Sequence, residues 1–303
     1  MQICRDALLA GDAAIGKSAL PIERDHTIGP MESNLACIGL ATADEAALNV
    51  LVRAVLPSAV RFGRVADVEL YRWEDRSGAR LILGVKNGHV VSLLPSFAAE
   101  QSTRLADLRR VNADVAIAAV IDEDGEQLTS LALELEQIRL LTDHSVESAA
   151  AAISFLGRRV SVHADSEAFS RSVDSLLDPN ADPNQPPSAH YIERGLKWPP
   201  RVGNESFFSY GVFADPTHAE AGARFAGVVI HSERRTVQQS GQTFVVSTIN
   251  TVGIEATVCL SGAEFAEVLQ PGQVVAGEAF IVGSVPALEQ SKPVSRWWQR
   301  RRE

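Results

Sequence analysis

The spacing of apolar and polar residues changes period several times along the chain, and each change marks an element. Asn34–Ala41 is short and largely apolar, and reads as a strand. Thr42-Ala43-Asp44-Glu45 is a capping-box pattern. It opens a helix with Leu48, Leu51, Val52 and Val55 on one face, ended by Pro57. Period-two alternation follows over Val65–Trp73, with Val68 and Leu70 on one side and Asp67, Glu69, Tyr71 and Trp73 on the other. A turn at 75–78 leads into Ala79–Val85. Asn87-Gly88 then joins two apolar runs as a hairpin turn, because both positions need positive φ. Residues 33–97 thus read as β-α-β-β-β.

A second unit begins with the apolar strand Val115–Ile121 and the turn Asp122-Glu123-Asp124-Gly125. Leu131, Leu133 and Leu135 then recur at period two. The Ala-rich stretch 145–156 reads as a helix ending at Gly157. Val160–His163 is a short strand. Asp165 caps a helix with the apolar face Phe169, Val173, Leu176 and Leu177. Asp178–Ser188 holds four prolines and no aliphatic residue larger than Ala, the plainest linker in the chain. Strands follow at Phe207–Phe213, Ala223–Arg235, Gln242–Asn250, Ile254–Leu260 and Val274–Val282, with a short helix expected from Ser261-Gly262-Ala263-Glu264 to about Leu269.

The expected fold class is α+β, with a mixed β-α-β-β-β type sheet region under covering helices, then a small β-barrel with one helix. The expected organisation is a leader at 1–30, an α+β domain at 31–178, a linker at 179–190, a barrel domain at 191–286 and a basic tail at 287–303. Met31 stands just before the first structured signal, which leaves the natural start open between Met1 and Met31. In element order the second domain resembles an OB-like barrel, a fold used for many functions. The β-α-β-β-β order is similar to a vicinal-oxygen-chelate half-module, whose enzymes place His or Glu ligands on facing strands. NLACIGLA offers neither, so the resemblance implies a non-catalytic small-molecule binder.

Composition fits a folded chain, with 46% hydrophobic and 22% charged residues. Cys4, Cys37 and Cys259 form neither a disulfide framework nor a metal-ligand spacing. No apolar run is long enough to cross a membrane as a helix, so the expected location is cytoplasmic. Net charge is −10: residues 1–180 hold 17 Lys/Arg against 26 Asp/Glu, and the remainder holds 11 against 12. That balance disfavours nucleic acid as partner.

Candidate chemistry is sparse. Gly11, Gly16, Lys17 and Ser18 stand in a G-x-x-x-x-G-K-S pattern, and LLAGDAAIGKSAL resembles the Walker A segment of P-loop nucleotidases. That resemblance implies a Mg-nucleotide cofactor, with Asp122 at the end of an apolar strand as metal-holding residue. Pro21 and Pro30 would cut short the helix such a loop opens. Asp67, Glu69, Tyr71 and Trp73 make a polar–aromatic face that reads as a ligand wall with one carboxylate of raised pKa, or as the solvated side of a sheet. Phe207, Phe208, Tyr210 and Phe213 could stack bases on a barrel face, but along a strand Phe208 and Tyr210 lie opposite Phe207 and Phe213, so at least half belong in a core. The seven histidines are scattered, and no nucleophile motif is present. Arg296, Trp297, Trp298, Arg300, Arg301 and Arg302 form a compact basic–aromatic tail suited to docking on a partner. The leading expectation is a cytoplasmic, non-catalytic binding or adaptor protein that engages a protein partner, with homo-oligomerisation open and no cofactor.

Overall fold

The computed structural model describes residues 30–141, 145–178, 182, 186–187, 189–195 and 197–290. The first elements are helices α1 (Pro30–Cys37) and α2 (Glu45–Val55). An antiparallel meander follows: β1 (Val60–Val65), β2 (Val68–Glu74), β3 (Ala79–Lys86) and β4 (His89–Phe97). The run expected as a first strand is therefore the end of α1 and its exit. Gly39, at φ +70°, closes the helix: Leu40 N–H bonds to Leu35 C=O and Gly39 N–H to Ala36 C=O. A continuous apolar run suits a buried helix end as well as a strand. The β-α-β-β-β order, and with it the likeness to a vicinal-oxygen-chelate half-module, is not formed.

The helix expected after Thr42 is present, but its cap is Asp44, whose Oδ1 accepts from Ala47 N–H at 2.8 Å. The run 65–73 bends sharply at Ala66 (φ +52°) and contributes to two strands. Asn87 (φ +50°) and Gly88 (φ +80°) make the expected hairpin turn.

The larger sheet contains β5 (Thr103–Arg110), β6 (Ala116–Ile121), β7 (Gln127–Leu135), β8 (Val146–His163), β9 (Ser206–Ser209), β10 (Gly222–Thr236), β11 (Thr243–Thr251), β12 (Ile254–Ser261) and β13 (Val274–Ser284). Its axis is an antiparallel ribbon in which residues 152–163 of β8 pair with 274–284 of β13. The other edge of β8 pairs first with β5 and then with β12. The other edge of β13 pairs with β10 and then with β7. Since β6 joins β5 to β7 and β11 joins β12 to β10, two five-strand rings close on the shared ribbon.

This arrangement corrects two expectations. Residues 146–156 are strand, not helix: Ala149, Ala151, Ile153 and Phe155 alternate into the ring interior, and pairing with β5 over 146–151, then with β12 and β13, overrides the helix preference of Ala. The ribbon pairs a strand that precedes residues 179–190 with one that follows them. The C-terminal ring closes only by taking β8 from before that segment. Its expected helix is a single turn in which Phe265 N–H bonds to Ser261 C=O, so the element order that suggested an OB-like barrel is absent.

The inner faces of both rings merge into one core. Phe155 stands at the junction, stacked on Phe207 (centroids 5.5 Å apart) and edge-on to Phe225 (5.3 Å). The helix capped by Asp165 forms at Ser166–Arg171, burying Phe169; Leu176 is buried beyond it, while Val173 and Leu177 stay exposed.

The four-stranded sheet packs outside the rings. Trp73, Leu81 and Leu83 join Leu35, Ile38 and Val55 of the helical segment and Leu156, Phe244, Cys259 and Val282 of the rings in a second core. On the opposite face, Leu70 and Ile82 pack near Leu140. Among the described residues, no helix is long and apolar enough to cross a membrane.

Candidate functional site

Gly11, Gly16, Lys17, Ser18 and the Arg296–Arg302 set lie outside the described residues. Asp122 builds the β6–β7 turn: its Oδ1 accepts the N–H groups of Asp124 (3.0 Å) and Glu126 (2.9 Å). The strand before it, β6, has antiparallel neighbours on both sides.

The Asp67–Trp73 face is divided. Asp67 lies in the β1–β2 turn, 2.8 Å from Lys86 Nζ, and that hydrogen bond holds its carboxyl below the usual range, opposite to the raised value a proton donor needs. Tyr71 donates its hydroxyl to Glu69 Oε2 at 2.9 Å, which raises the phenol, and Arg61 lies 3.1 Å from Glu69. Trp73, 6% exposed, is a core residue under the helices. The four residues do not form one ligand wall.

Both described thiols are buried. Burial pushes Cys37 up to about 12 and raises Cys259 as well, the wrong direction for a nucleophile. His163 Nε2 lies 3.0 Å from Asp174 Oδ2, and His89 is exposed beside its turn. Among the described residues, no three His, Cys, Asp or Glu side chains converge to hold a metal ion.

The structure gathers two groups elsewhere. One is aromatic and exposed. Phe207 points into the core, while Phe208, Tyr210 and Phe213 are 39%, 48% and 84% exposed. Phe208 begins a cross-strand row with Arg224, Glu278 and Arg158. The carbonyls of Asp174, Leu176 and Leu177 hold the Arg224 guanidinium at 2.6–2.9 Å, which brings exposed Leu177 and Val173 alongside. Arg159, on the same face, pairs with Glu278. Alternation separated Phe207 from Phe208, but the strand expected over Phe207–Phe213 ends at Ser209, and Tyr210–Phe213 is a helical turn, so Phe213 is exposed with Phe208 and Tyr210 rather than on the side of Phe207.

The second group is ionic and lies between the small sheet and the rings. The Glu136 side chain, fully buried, sits 3.2 Å from Arg80 and 3.3 Å from Arg72. It also accepts from Ser96 Oγ (2.7 Å) and Ser284 Oγ (3.0 Å). Burial alone lowers the pKa of Arg80, but Glu136 and Glu74 raise it above its ordinary value. Arg72 also pairs with Glu289, and its guanidinium lies over the Phe62 ring, 5.1 Å from the centroid. Gln137, wholly buried, donates to Glu289 Oε1 at 3.0 Å and accepts from Val285 N–H at 2.9 Å. Beside this group opens a cleft of ≈610 Å³ lined by Ser58, Phe62, Arg72, Glu74, Pro286 and Glu289, among others. Period two runs through Leu131, Leu133 and Leu135 and does not single out Glu136; that a distant sheet covers it left no local trace. Comparison of the chain with family models, with curated proteins and with solved structures returns no match.

Proposed function

We propose that this chain is a binding protein that engages a protein partner through the face formed by Phe208, Tyr210 and Phe213. The observation that carries the reading is the exposure of three aromatic side chains within six residues, Phe213 at 84%. Such side chains are costly to leave in water, and contiguous apolar patches on folded chains mark interaction sites. Aromatic residues beside Arg suit an interface anchor, and here Arg159 and Arg224 stand next to the patch. The overall charge of −10 favours a protein over a nucleic acid.

The test uses the full chain, a Phe208→Ser/Phe213→Ser variant and a chain ending at residue 290 as baits in quantitative affinity capture. Circular dichroism checks that each is folded. A partner lost with the double variant supports this face. A partner lost only with the shortened chain moves the contact to the Trp-Arg tail, and an unchanged partner set refutes the reading. Sedimentation of the same proteins shows whether the partner is a second copy.

A further inference from the structure

We infer that the cleft between β1 and the segment 286–290 is a binding site for a small organic anion, which the chain's own Glu289 occupies here. The receptor is built from fixed parts. Arg72 presents its guanidinium from β2, stacked over Phe62 and held from behind by buried Glu136. Gln137 contributes a side-chain N–H, and its own position is fixed by the bond it accepts from Val285 N–H. Both groups converge on one carboxylate, that of Glu289. A guanidinium on an aromatic ring beside a buried amide donor is the equipment for recognising a carboxylate or phosphate group. The adjoining ≈610 Å³ is enough room for the rest of such a molecule, with Phe62, Val60 and Pro286 as apolar wall.

Glu289 belongs to a strap after β13 that forms no strand of either sheet, although Leu288 in it packs against the ring core. After the single turn Pro286–Leu288, the strap is fastened to the edge of β1 through Gln290. Gln290 N–H bonds to Phe62 C=O (3.2 Å), and its side-chain amide accepts from Arg64 N–H (2.9 Å) and donates to Arg64 C=O (3.0 Å). These bonds lie at an exposed edge, where water replaces them at little cost. The exchange is isoelectric when a ligand carboxylate replaces that of Glu289: Arg72 keeps an anion on its outer side and Glu136 keeps both arginines. Glu289 therefore acts as an internal competitor, tethered at high effective concentration, and weakens any outside anion until the strap is released.

Titration with succinate and with inorganic phosphate at constant ionic strength, followed through arginine Nε–H resonances in full-length protein, tests this. Comparing the two probes separates a carboxylate site from a phosphate site. Glu289→Gln removes the competing charge while keeping the side chain's shape, and should tighten one of the probes at least about tenfold relative to the wild type. Gln290→Ala, which loosens the strap and leaves Arg72 untouched, should tighten the same probe. Adding Arg72→Lys to Glu289→Gln should cancel the gain, because an ammonium lacks the planar fork. Equal binding by wild type and both strap variants overturns the inference, as does tight binding that survives Arg72→Lys. If Glu289→Gln does not fold, Gln290→Ala alone decides.

Discussion

The four-stranded sheet lays Trp73, Leu81 and Leu83 against the helices and the ring exterior on one side, and Arg72 and Arg80 against Glu136 on the other. The first side gains stability from area removed from water and tolerates many arrangements of similar volume. The second gains little net energy from its ion pairs, because desolvating the charges offsets their attraction. It fixes geometry instead. Two guanidinium groups and one carboxylate fit together in few ways, so the ionic side sets where the sheet sits and the apolar side sets how firmly.

Trp73→Ala breaks the apolar side and should have the largest effect, about 3–5 kcal/mol of unfolding free energy, measured by urea denaturation. Glu136→Gln breaks the ionic side. It removes the charge while keeping the shape, and should cost about 1.5–3 kcal/mol. Replacing Arg72, Glu136 and Arg80 together by Met, Leu and Met should cost less than Glu136→Gln alone, since no fully buried charge is left stranded and the carboxylates that lose an arginine, Glu289 and Glu74, reach water. A triple variant less stable than the single one would show that the ion pairs stabilise after all.

Which parts of this arrangement were legible in the sequence follows from how local their causes are. Asn87-Gly88, the helix over 45–55 and the Asp165 cap depend on neighbours within a few residues, and all three formed. The 145–156 stretch misled because its strand identity comes from distant partners, β5 earlier in the chain for its first half and β12 and β13 much later for its second. Asn34–Cys37 misled for a smaller reason: Gly39 was a helix-closing signal inside what looked like a strand. Of the two groups of candidate residues, the aromatic one was visible in part: alternation parted Phe208 from Phe207, but it set Phe213 on the side of Phe207, because the chain turns into a helix after Ser209. The Arg72–Glu136–Glu289 group joins β2, the end of β7 and the segment after β13, and no spacing along the chain relates them.

Two smaller predictions sharpen the contrast from the surface. Asp44→Ala removes the cap of α2 at the rim of the apolar side, and should cost about 1 kcal/mol in the same denaturation assay. Asp67→Asn should have the least effect and the clearest pH signature. Lys86 lowers the folded-state pKa of Asp67 below its ordinary 3.8. Its stabilisation is therefore present above that value and is lost as pH falls through the lower folded value. The wild type should lead the variant slightly at pH 6, and the two should converge in strong acid; a gap that widened on acidification would contradict the Lys86 pairing.

The ribbon of β8 and β13 also sets a timetable. Neither ring can close before residue 284 has left the ribosome, because each needs both strands. Until then β8 presents its alanine-lined face and its long edges to the surroundings, with the partner for 152–163 still unmade. Such distant pairing makes folding slow and leaves strand edges open to the wrong neighbour meanwhile. Once made, the same ribbon ties early and late segments into one cooperative unit, so the chain should be lost in a single transition rather than ring by ring.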